Sequence, residues 1–501
     1  LEVRNDLNSI VTDYSKQVSV SLVHHSLGQS SLTGTTSKTF ENGAVTFDDL
    51  EIDSSTTGIQ LKFITDDGLK TSTIDFEVTS GIPLYRSVGS STSLPSGDTT
   101  GIDLEVSSGV LNFSGDLVEN IGVGDAVEID TSSDGTIDSS DSLLFIHGRI
   151  SNQEFIVRNS SGGIPGDIGT NSTWEIERAY TNLDNAEADS ENPRIDAETG
   201  YTPGSLDTGN HSLHLAMYAD GPDASVVYFN NYLSSNEQNY VRVFAPYLKS
   251  EVGVRQRHSG HWDDTKVKLA PPSNSQYALR YWIYKMRIEG IQFEWPTNTT
   301  FDPNDPPAAL YAEDITSGTD LRVRDCIFRD VGGSASQSAI SLDSRTEDTQ
   351  QFFRITNNII YGFSQSGIKI GGGAGGLGEG QYFIYNNTFV NMDKGVEILS
   401  ADNGSHIVIN NLAQNISTAG FDGAFHANSD YNISNLPDAP GANSIQSSGV
   451  QFQSSSDFRL SSSDTIAKEQ GLNLSSESSN PFAVDILGTL RENDWSIGAS
   501  E

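Results

Sequence analysis

Residues 130–141 carry oxygen-bearing side chains at the spacing of a calcium-binding loop. Oxygen ligands fall at loop positions 1, 3, 5, 9 and 12, and Gly135 stands at position 6, where it permits a sharp turn. Position 12 is an aspartate rather than the longer glutamate, and the flanking residues read as strands. The alternative is an acidic turn without metal. With calcium as the candidate cofactor, the predicted ligands are Asp130, Ser132, Asp134, Asp138 and Asp141.

A second polar cluster contains two histidines and two aspartates, namely His258, His261, Asp263 and Asp264. Such residues could bind a metal or transfer protons. No further ligand stands at a diagnostic spacing, so the favoured interpretation is a structured surface loop. Charges elsewhere, Arg324 among them, form no catalytic motif. The sequence therefore predicts no catalytic residues.

Asn-X-Ser/Thr sequons are a third candidate site, for attached glycans. The chain is rich in Asn, Ser and Thr, so chance alone produces many such motifs. Their number is therefore no evidence of glycosylation. The sequons lie at Asn112, Asn159, Asn171, Asn210, Asn298, Asn386, Asn403, Asn415, Asn432 and Asn473.

A short apolar motif recurs five times and would position much of the chain. Its copies follow one another 24 to 36 residues apart, and some are followed by a second short strand. Short strands at such a period indicate a solenoid. The segments are β-branched and lack a helical period, which excludes helical repeats. The copies are Arg287–Phe293, Arg322–Phe328, Arg354–Ile360, Phe383–Phe389 and Val408–Ala413, anchored on Gly290, Cys326, Asn358, Asn387 and Asn411.

Each repeat is too short to bury its own apolar residues, so neighbouring coils must share an interior. In the third copy, alternation predicts that Ile355, Asn357 and Ile359 point to one side. The repeated asparagines are expected to form a ladder at one bend. Asparagine tolerates the left-handed backbone conformation, and its amide can bond to the coils on both sides. The ladder residues are Asn358, Asn387 and Asn411.

The Asn-Asn repeats and the C-terminal stretch resemble right-handed parallel β-helix proteins related to pectate lyases. That stretch contains Ser429–Ile433, Asp457–Leu460 and Ala467–Gly471, and it closes with Asp485–Gly488 and Trp495–Ala499. The resemblance covers about residues 205–501 and implies a fold. It says little about activity, because one fold hosts many functions.

The first 80 residues contain short alternating strands with polar turns, which predict a β-sandwich. Gly43–Ile52 followed by Ile59–Phe63 resembles bacterial immunoglobulin-like repeats. Those domains normally begin with a strand before the one represented here by Leu1–Arg4. Lack of that strand would expose an unpaired edge and an apolar groove. Either upstream residues are absent from this chain, or another subunit donates the strand and builds a filament.

The predicted fold class is therefore all-β. An immunoglobulin-like sandwich at 1–81, lacking its first strand, precedes a middle β domain and cap or linker at 82–204. A right-handed parallel β-helix with a closing segment occupies 205–501. A solenoid needs its open end covered, and the middle region is a candidate for that cap.

The chain is strongly acidic, with 29 Lys and Arg against 67 Asp and Glu and a formal charge of -38. This charge argues against nucleic acid and anionic membrane surfaces as partners. The sequence contains no run of 18 apolar residues, so it predicts no membrane span. The single cysteine, Cys326, is expected to be a buried core thiol. The chain starts at Leu1 and not at Met, so we expect a processed or excerpted mature protein whose targeting segment is absent. The expected location is outside the cell or on its surface.

The favoured function is a non-enzymatic extracellular structural or adhesive protein that self-associates into a fibre or surface layer. One alternative is a polysaccharide lyase or glycosidase acting along the solenoid. Another is a glycan-binding module, with polysaccharide as the partner. The aromatics Tyr361, Tyr382 and Tyr385 are candidates for stacking on sugars.

Overall fold

The computed structural model groups the chain into two compact units, Leu1–Ser80 with Leu472–Trp495, and Gly81–Gly471 with Ser496–Glu501. The sequence did not predict that residues 472–495 belong with the first unit, and the predicted domain boundaries stay predictions. The structure describes residues 1–4, 10–24, 32–33, 35–47, 50–52, 56–73, 76–78, 82–91, 94–188, 206, 210–231, 239–283, 285–296, 307–313, 318–332, 337–343, 351–371, 379–399, 404–477, 479–491 and 494–501.

The first unit contains short antiparallel strands around a small apolar core. Strand β5 lies beside β1, and the sheet order is β3-β1-β5-β6, with β7 also paired to β5 and a separate β2-β4 pair. Val18, Phe40 and Phe63 form the centre of the core. The strands are β1 Gln17–His24, β2 Leu32–Thr33, β3 Ser37–Thr39, β4 Glu51–Ile52, β5 Thr56–Thr65, β6 Lys70–Ser72 and β7 Phe76–Val78.

The second unit begins with one solenoid strand followed by an antiparallel sheet and two short helices. The sheet order is β14-β9-β10-β13-β12-β11-β15. We call residues 94–188 the cap. The elements are β8 Ile82–Val88, α1 Gly97–Thr100, β9 Leu104–Ser107, β10 Val110–Phe113, β11 Ala126–Ile129, β12 Ser142–Arg149, β13 Glu154–Arg158, β14 Ile168–Asn171, β15 Trp174–Glu177 and α2 Leu183–Ala188.

The rest of the second unit consists of strands in two large parallel sheets. The first sheet runs β32-β30-β27-β24-β21-β18-β16-β8, and the second contains β17, β19, β20, β22, β23, β25, β26, β28, β29, β31, β33 and β34. The strands are β16 His211–Met217, β17 Val227–Phe229, β18 Val241–Phe244, β19 Lys268–Leu269, β20 Tyr277–Tyr281, β21 Lys285–Glu289, β22 Gln292–Trp295, β23 Ala308–Glu313, β24 Asp320–Arg324, β25 Ile327–Asp330, β26 Ser338–Asp343, β27 Phe352–Thr356, β28 Ile359–Tyr361, β29 Ser366–Ile370, β30 Gln381–Tyr385, β31 Thr388–Ile398, β32 Ser405–Ile409, β33 Leu412–Asp422 and β34 Ile433–Ser434.

The pairing of these strands shows how the chain coils. Strand β24 pairs with β27, β25 with β28 and β26 with β29, always in parallel. Each coil therefore crosses the first sheet once and the second sheet twice, and then lies against the next coil. The all-β fold class and the parallel stacking of the repeats are confirmed.

The coils share one continuous apolar interior, as the repeat pattern predicts. Ile355, Ile360 and Phe389 lie in it, and aligned rings stack between coils, with Phe293 and Phe328 4.4 Å apart. The predicted alternation is wrong past the bend. Ile359 lies outside this core, because the left-handed backbone at Asn357 (φ 56°) turns the chain and inverts the alternation.

The bend itself differs by one residue from its predicted position. Glu289 pairs with Arg324, so Gly290 aligns with Asp325 and not with Cys326. The left-handed residues are those just before the ladder: Gly290, Asp325, Asn357, Asn386, Asn410 and Tyr431. The residue before each ladder position is therefore the one that must tolerate the left-handed backbone conformation. In the ladder itself, asparagine is selected by hydrogen bonding alone.

The cap contributes to two cores at once. On β12, Leu144 and Ile146 enter the core of the cap, whereas Leu143 and Phe145 join the interior of the solenoid. Strand β8 pairs in parallel with β16. The cap therefore covers the apolar end that an open solenoid would expose.

A buried arginine ties the cap to the first coil. The Arg178 guanidinium donates to Asp125 at 2.7 Å and to Asp220 at 2.8 Å, and it lies 3.6 Å from the centre of the Tyr218 ring. Its side chain is 1% exposed. Burial opposes ionisation of Asp220, but the hydrogen bond and charge of Arg178 lower the pKa of that carboxyl. Removing one partner of a buried ion pair leaves an unpaired charge away from water, so we expect the stability of this region to require all three residues.

Among the described residues, no helix combines the length and apolarity that crossing a bilayer requires.

Candidate functional site

The predicted asparagine ladder is present and longer than expected. The Asn387 Oδ1 accepts from the Asn358 amide at 3.0 Å, and Asn411 Oδ1 accepts from the Asn387 amide at 3.0 Å. Asn432 adds a further step below, at 3.0 Å. Above, the Cys326 amide donates to Asn358 at 2.9 Å. All four asparagines are fully buried, so the ladder is a structural element of the bend.

An arginine row occupies the outward side of the first sheet. Outward and inward residues alternate along each strand, and the parallel register aligns equivalent residues of successive coils. The pairings Arg242–Arg287, Arg287–Arg322 and Arg322–Arg354 place one arginine on each of four adjacent coils. At about 4.8 Å per coil, the row runs about 14 Å along the solenoid. We call Arg242, Arg287, Arg322 and Arg354 the arginine row.

Two carboxylates bridge neighbouring arginines in this surface. Glu289 accepts from Arg242 at 2.7 Å and pairs with Arg324 at 3.2 Å. Asp320 accepts from Arg322 at 2.8 Å and from Arg354. Burial opposes their ionisation, yet the facing arginines lower the pKa of both carboxyls well below the ordinary range. Both are therefore ionised. Asp325 lies 4.0 Å from Arg324, so the five guanidinium groups face three carboxylates, Glu289, Asp320 and Asp325.

Aromatic rings hold the arginines in place. The Arg287 guanidinium lies 3.5 Å from the centre of the Tyr240 ring, and that of Arg242 lies 3.9 Å from the Phe244 ring. Arg242 is 18% exposed and Arg322 is 22% exposed, so the edge of the row reaches solvent. Burial and the charge of Arg322 lower the pKa of Arg287. The surface combines fixed orientation with an excess of positive charge.

The predicted calcium loop is closed by amide hydrogen bonds. Asp130 accepts from the amides of Ser133 and Gly135 at 2.7 and 2.8 Å. Asp141 accepts from the Thr131 and Ser132 amides at 2.9 Å. Burial opposes the shift, but these bonds lower the pKa of Asp141. Asp134 and Asp138 accept from Thr136 and Ser140, and Ser132 donates to Asp130.

Within the described ranges, no group of three or more His, Cys, Asp or Glu residues is placed to hold a metal ion. Calcium therefore stays a proposal for this loop. Asp134→Ala should lower the melting temperature in calcium chloride and leave it nearly unchanged in a chelator, because the exposed hydrogen bonds from Thr136 contribute little without a metal. Calorimetry in both buffers measures this. The same shift in both would identify an acidic turn without metal.

The second polar cluster is packed against the solenoid. His258 is fully buried, and its Nδ1 accepts from the Gly260 amide at 3.1 Å. Its neighbour Arg257 pairs with Asp325 at 2.9 Å. The amide of Asp263 donates to Gln292 at 2.8 Å. The contacts of this loop are those of a structural element, and they bring no acid–base pair together.

The predicted glycan-attachment asparagines and sugar-stacking tyrosines differ in how far they are buried. Asn386 and Asn432 are fully buried, which leaves no room for a glycan, whereas Asn298 and Asn403 lie outside the described residues. Tyr382 and Tyr385 are also fully buried, so they offer no face to a sugar. The sequons that remain at least partly exposed are Asn112, Asn159, Asn171, Asn210, Asn415 and Asn473.

An apolar groove opens in the first unit. Its volume is about 240 Å³, and its walls include Leu1, Val3, Phe40, Phe63 and Leu69. Leu69 is 50% exposed and Leu1 is 39% exposed, so two large apolar side chains stand at the rim. We expect such a groove in a sandwich that lacks one strand, and that architecture stays a prediction.

The half-buried His147 and the buried His214 lie where the cap meets the first coil. The Tyr85 ring is 5.1 Å from the His147 ring and 4.8 Å from the His214 ring. Burial, assisted by the charges of Arg86 and Arg158, lowers the pKa of His147 to about 3. Burial also lowers the pKa of His214 well below its ordinary value. Both rings are therefore neutral in the folded protein near neutral pH.

This burial predicts acid sensitivity. The unfolded chain protonates His147 near pH 6.5 and the folded chain near pH 3, so the free energy of unfolding falls as the pH drops through that window. His147→Phe should remove up to about 1.4 kcal/mol per pH unit of this dependence. Denaturant unfolding at several pH values measures it. The exposed His426→Phe is the control, and parallel curves for His147→Phe and the wild type would contradict the expectation.

Compared with known protein families, curated proteins and solved structures, the chain matches none.

Proposed function

We propose that the protein is a non-enzymatic extracellular or cell-surface protein of structural or adhesive function that holds acidic polysaccharide on its solenoid. The arginine row is the observation that carries this proposal. A right-handed parallel β-helix preceded by an immunoglobulin-like module is the architecture we propose for it. A rigid stack of coils suits adhesion, because it fixes charged groups at a constant spacing.

The charge distribution supports an acidic polymer as the ligand. The chain as a whole carries a formal charge of -38 and repels polyanions. Against that background, the arginine row with Arg324 is a local excess of positive charge. Arginine matches carboxylate and sulfate groups through paired hydrogen bonds. The contact with Phe244 already holds Arg242, which reduces the entropy lost on binding, whereas Arg287 is buried.

The test removes two arginines while leaving each carboxylate a partner. In Arg322→Gln with Arg324→Gln, Asp320 keeps Arg354 and Glu289 keeps Arg242. Affinity for polygalacturonate or alginate should fall about tenfold or more, and its salt dependence should weaken. Titration calorimetry at two ionic strengths measures both. The control is Arg459→Gln, whose ion pair with Asp457 lies elsewhere. Failure of the wild type to bind either polymer would refute the proposal.

The enzymatic alternative is tested in the same samples. A lyase acting along the solenoid would generate unsaturated uronate, which absorbs in the ultraviolet. We expect no increase in absorbance with or without calcium. A steady increase that disappears in the double arginine variant would instead assign catalysis to the row.

A second candidate function is a filament subunit joined by strand donation, which the groove of the first unit favours. A strand from a second copy would pair with an open edge and place apolar side chains against Phe40 and Phe63. Leu69→Glu should prevent fibres in negative-stain micrographs by putting charge at the rim. The control, Leu472→Glu, changes another exposed leucine that does not line the groove. Fibres from both variants, or from neither, would argue against donation.

A further inference from the structure

A group of exposed and half-buried side chains lies on the second sheet, away from the arginine row. Tyr228 on β17 is paired in register with Arg280 on β20, and Trp282 follows that strand. Trp282 is 40% exposed and Val226 is 37% exposed. We call Val226, Tyr228, Arg280 and Trp282 the aromatic platform.

The rings of the platform are arranged in parallel. The Tyr228 and Trp282 planes differ by 2°, and their centres are 6.1 Å apart. The Arg280 guanidinium lies 4.6 Å from the centre of the Tyr228 ring. The Trp282 amide donates to the Phe229 carbonyl at 2.9 Å, which fixes the backbone beneath the indole. Trp282 and Arg280 thus both pack on the Tyr228 ring, and the exposed part of the indole is the aromatic surface that reaches solvent.

Such a surface needs a reason, since two large apolar side chains, Trp282 and Val226, are exposed on it. A stable protein interface covers about 800 Å² on each partner, far more than three apolar side chains offer. The flat, exposed part of the indole suits the apolar face of a sugar ring. We propose that the aromatic platform binds a neutral glycan by stacking on its pyranose rings.

This site would act independently of the arginine row. Stacking involves no net charge on the ligand, so its affinity should be the same at low and high salt, whereas binding to the row should weaken. The two sites would also select different polymers. The protein would then hold a neutral and an acidic glycan on different sides of the same coils.

The experiment titrates the full chain with cello-, xylo-, manno- and laminarihexaose and follows tryptophan fluorescence and heat. We expect at least one hexaose to bind, and Trp282→Ala to weaken that binding about tenfold or more. Trp282→Phe, which keeps a smaller aromatic face, should give an intermediate value. The matched control is Trp262→Ala. Trp262 is also stacked with an arginine, Arg329 at 3.7 Å, but it lies outside the platform.

Absence of hexaose binding, or equal losses in Trp262→Ala and Trp282→Ala, would overturn the inference. So would a loss of self-association in Trp282→Ala, seen by sedimentation, without any sugar binding in the wild type. The double arginine variant should still bind the hexaose. Failure of the platform would therefore leave the proposed acidic-glycan site untouched, and the reverse also holds.

Discussion

Replacing Arg178 with methionine should destabilise the second unit by about 3–5 kcal/mol, because it leaves buried carboxylates without their cation. Asp125 is fully buried and Asp220 nearly so. Burial already raises the pKa of Asp125. Without Arg178 that carboxyl should take up a proton more readily, so the loss should shrink as the pH falls. Calorimetric melting at neutral and acidic pH measures the effect.

A surface pair provides the comparison for this result. Arg459 is 29% exposed and pairs with Asp457, so Arg459→Met should cost less than about 1 kcal/mol. Adding Asp125→Asn to Arg178→Met should recover part of the stability, because it removes a charge that nothing balances. Equal losses for the two single variants would show that the buried pair contributes no more than a surface pair.

Asn387→Ala should destabilise the coils by about 3 kcal/mol or more, because it leaves several buried polar groups without partners. Asn387 is fully buried, and its side chain accepts from the Asn358 amide and donates to the Ile355 carbonyl at 2.8 Å. Alanine can do neither. Denaturant unfolding gives the energy, and faster hydrogen exchange of the Asn358 amide would locate it.

The exposed asparagine pair at another bend is the matched control. Asn415 donates to Asn391 at 3.1 Å, and its φ is 55°. Asn415→Gly keeps that backbone conformation accessible and removes one solvent-exposed bond, so it should cost less than about 1 kcal/mol. If Asn387→Ala and Asn415→Gly reduce the free energy of unfolding equally, burial does not explain the contribution of the ladder to stability.

The solenoid was predictable because each copy of the repeat contains an apolar strand followed by the residues of the bend. Asn358, Asn387 and Asn411 follow apolar strands at similar positions, and only stacking buries those strands. The exact position of the bend was not predictable, since either of two adjacent asparagines could be the left-handed residue or the ladder residue. Pairing of Glu289 with Arg324 settles the assignment, and that pairing depends on the neighbouring coil.

The arginine row was not predicted, although its signal is in the sequence. Arg287, Arg322 and Arg354 each begin a copy of the repeat. Read one at a time, they look like surface charges. Only the register shows that they lie side by side, and the contribution of Arg242 from an earlier, irregular coil had no pattern to reveal it. The cap contacts of Arg178 join residues far apart in the chain and left no local signal.

Strand β12 gives alternate side chains to two hydrophobic cores, Leu144 to one and Phe145 to the other. Neither core can lose this strand without exposing the other to water. Melting of the cap should therefore propagate into the coils, and heat should produce a single cooperative transition for both regions instead of gradual fraying from that end.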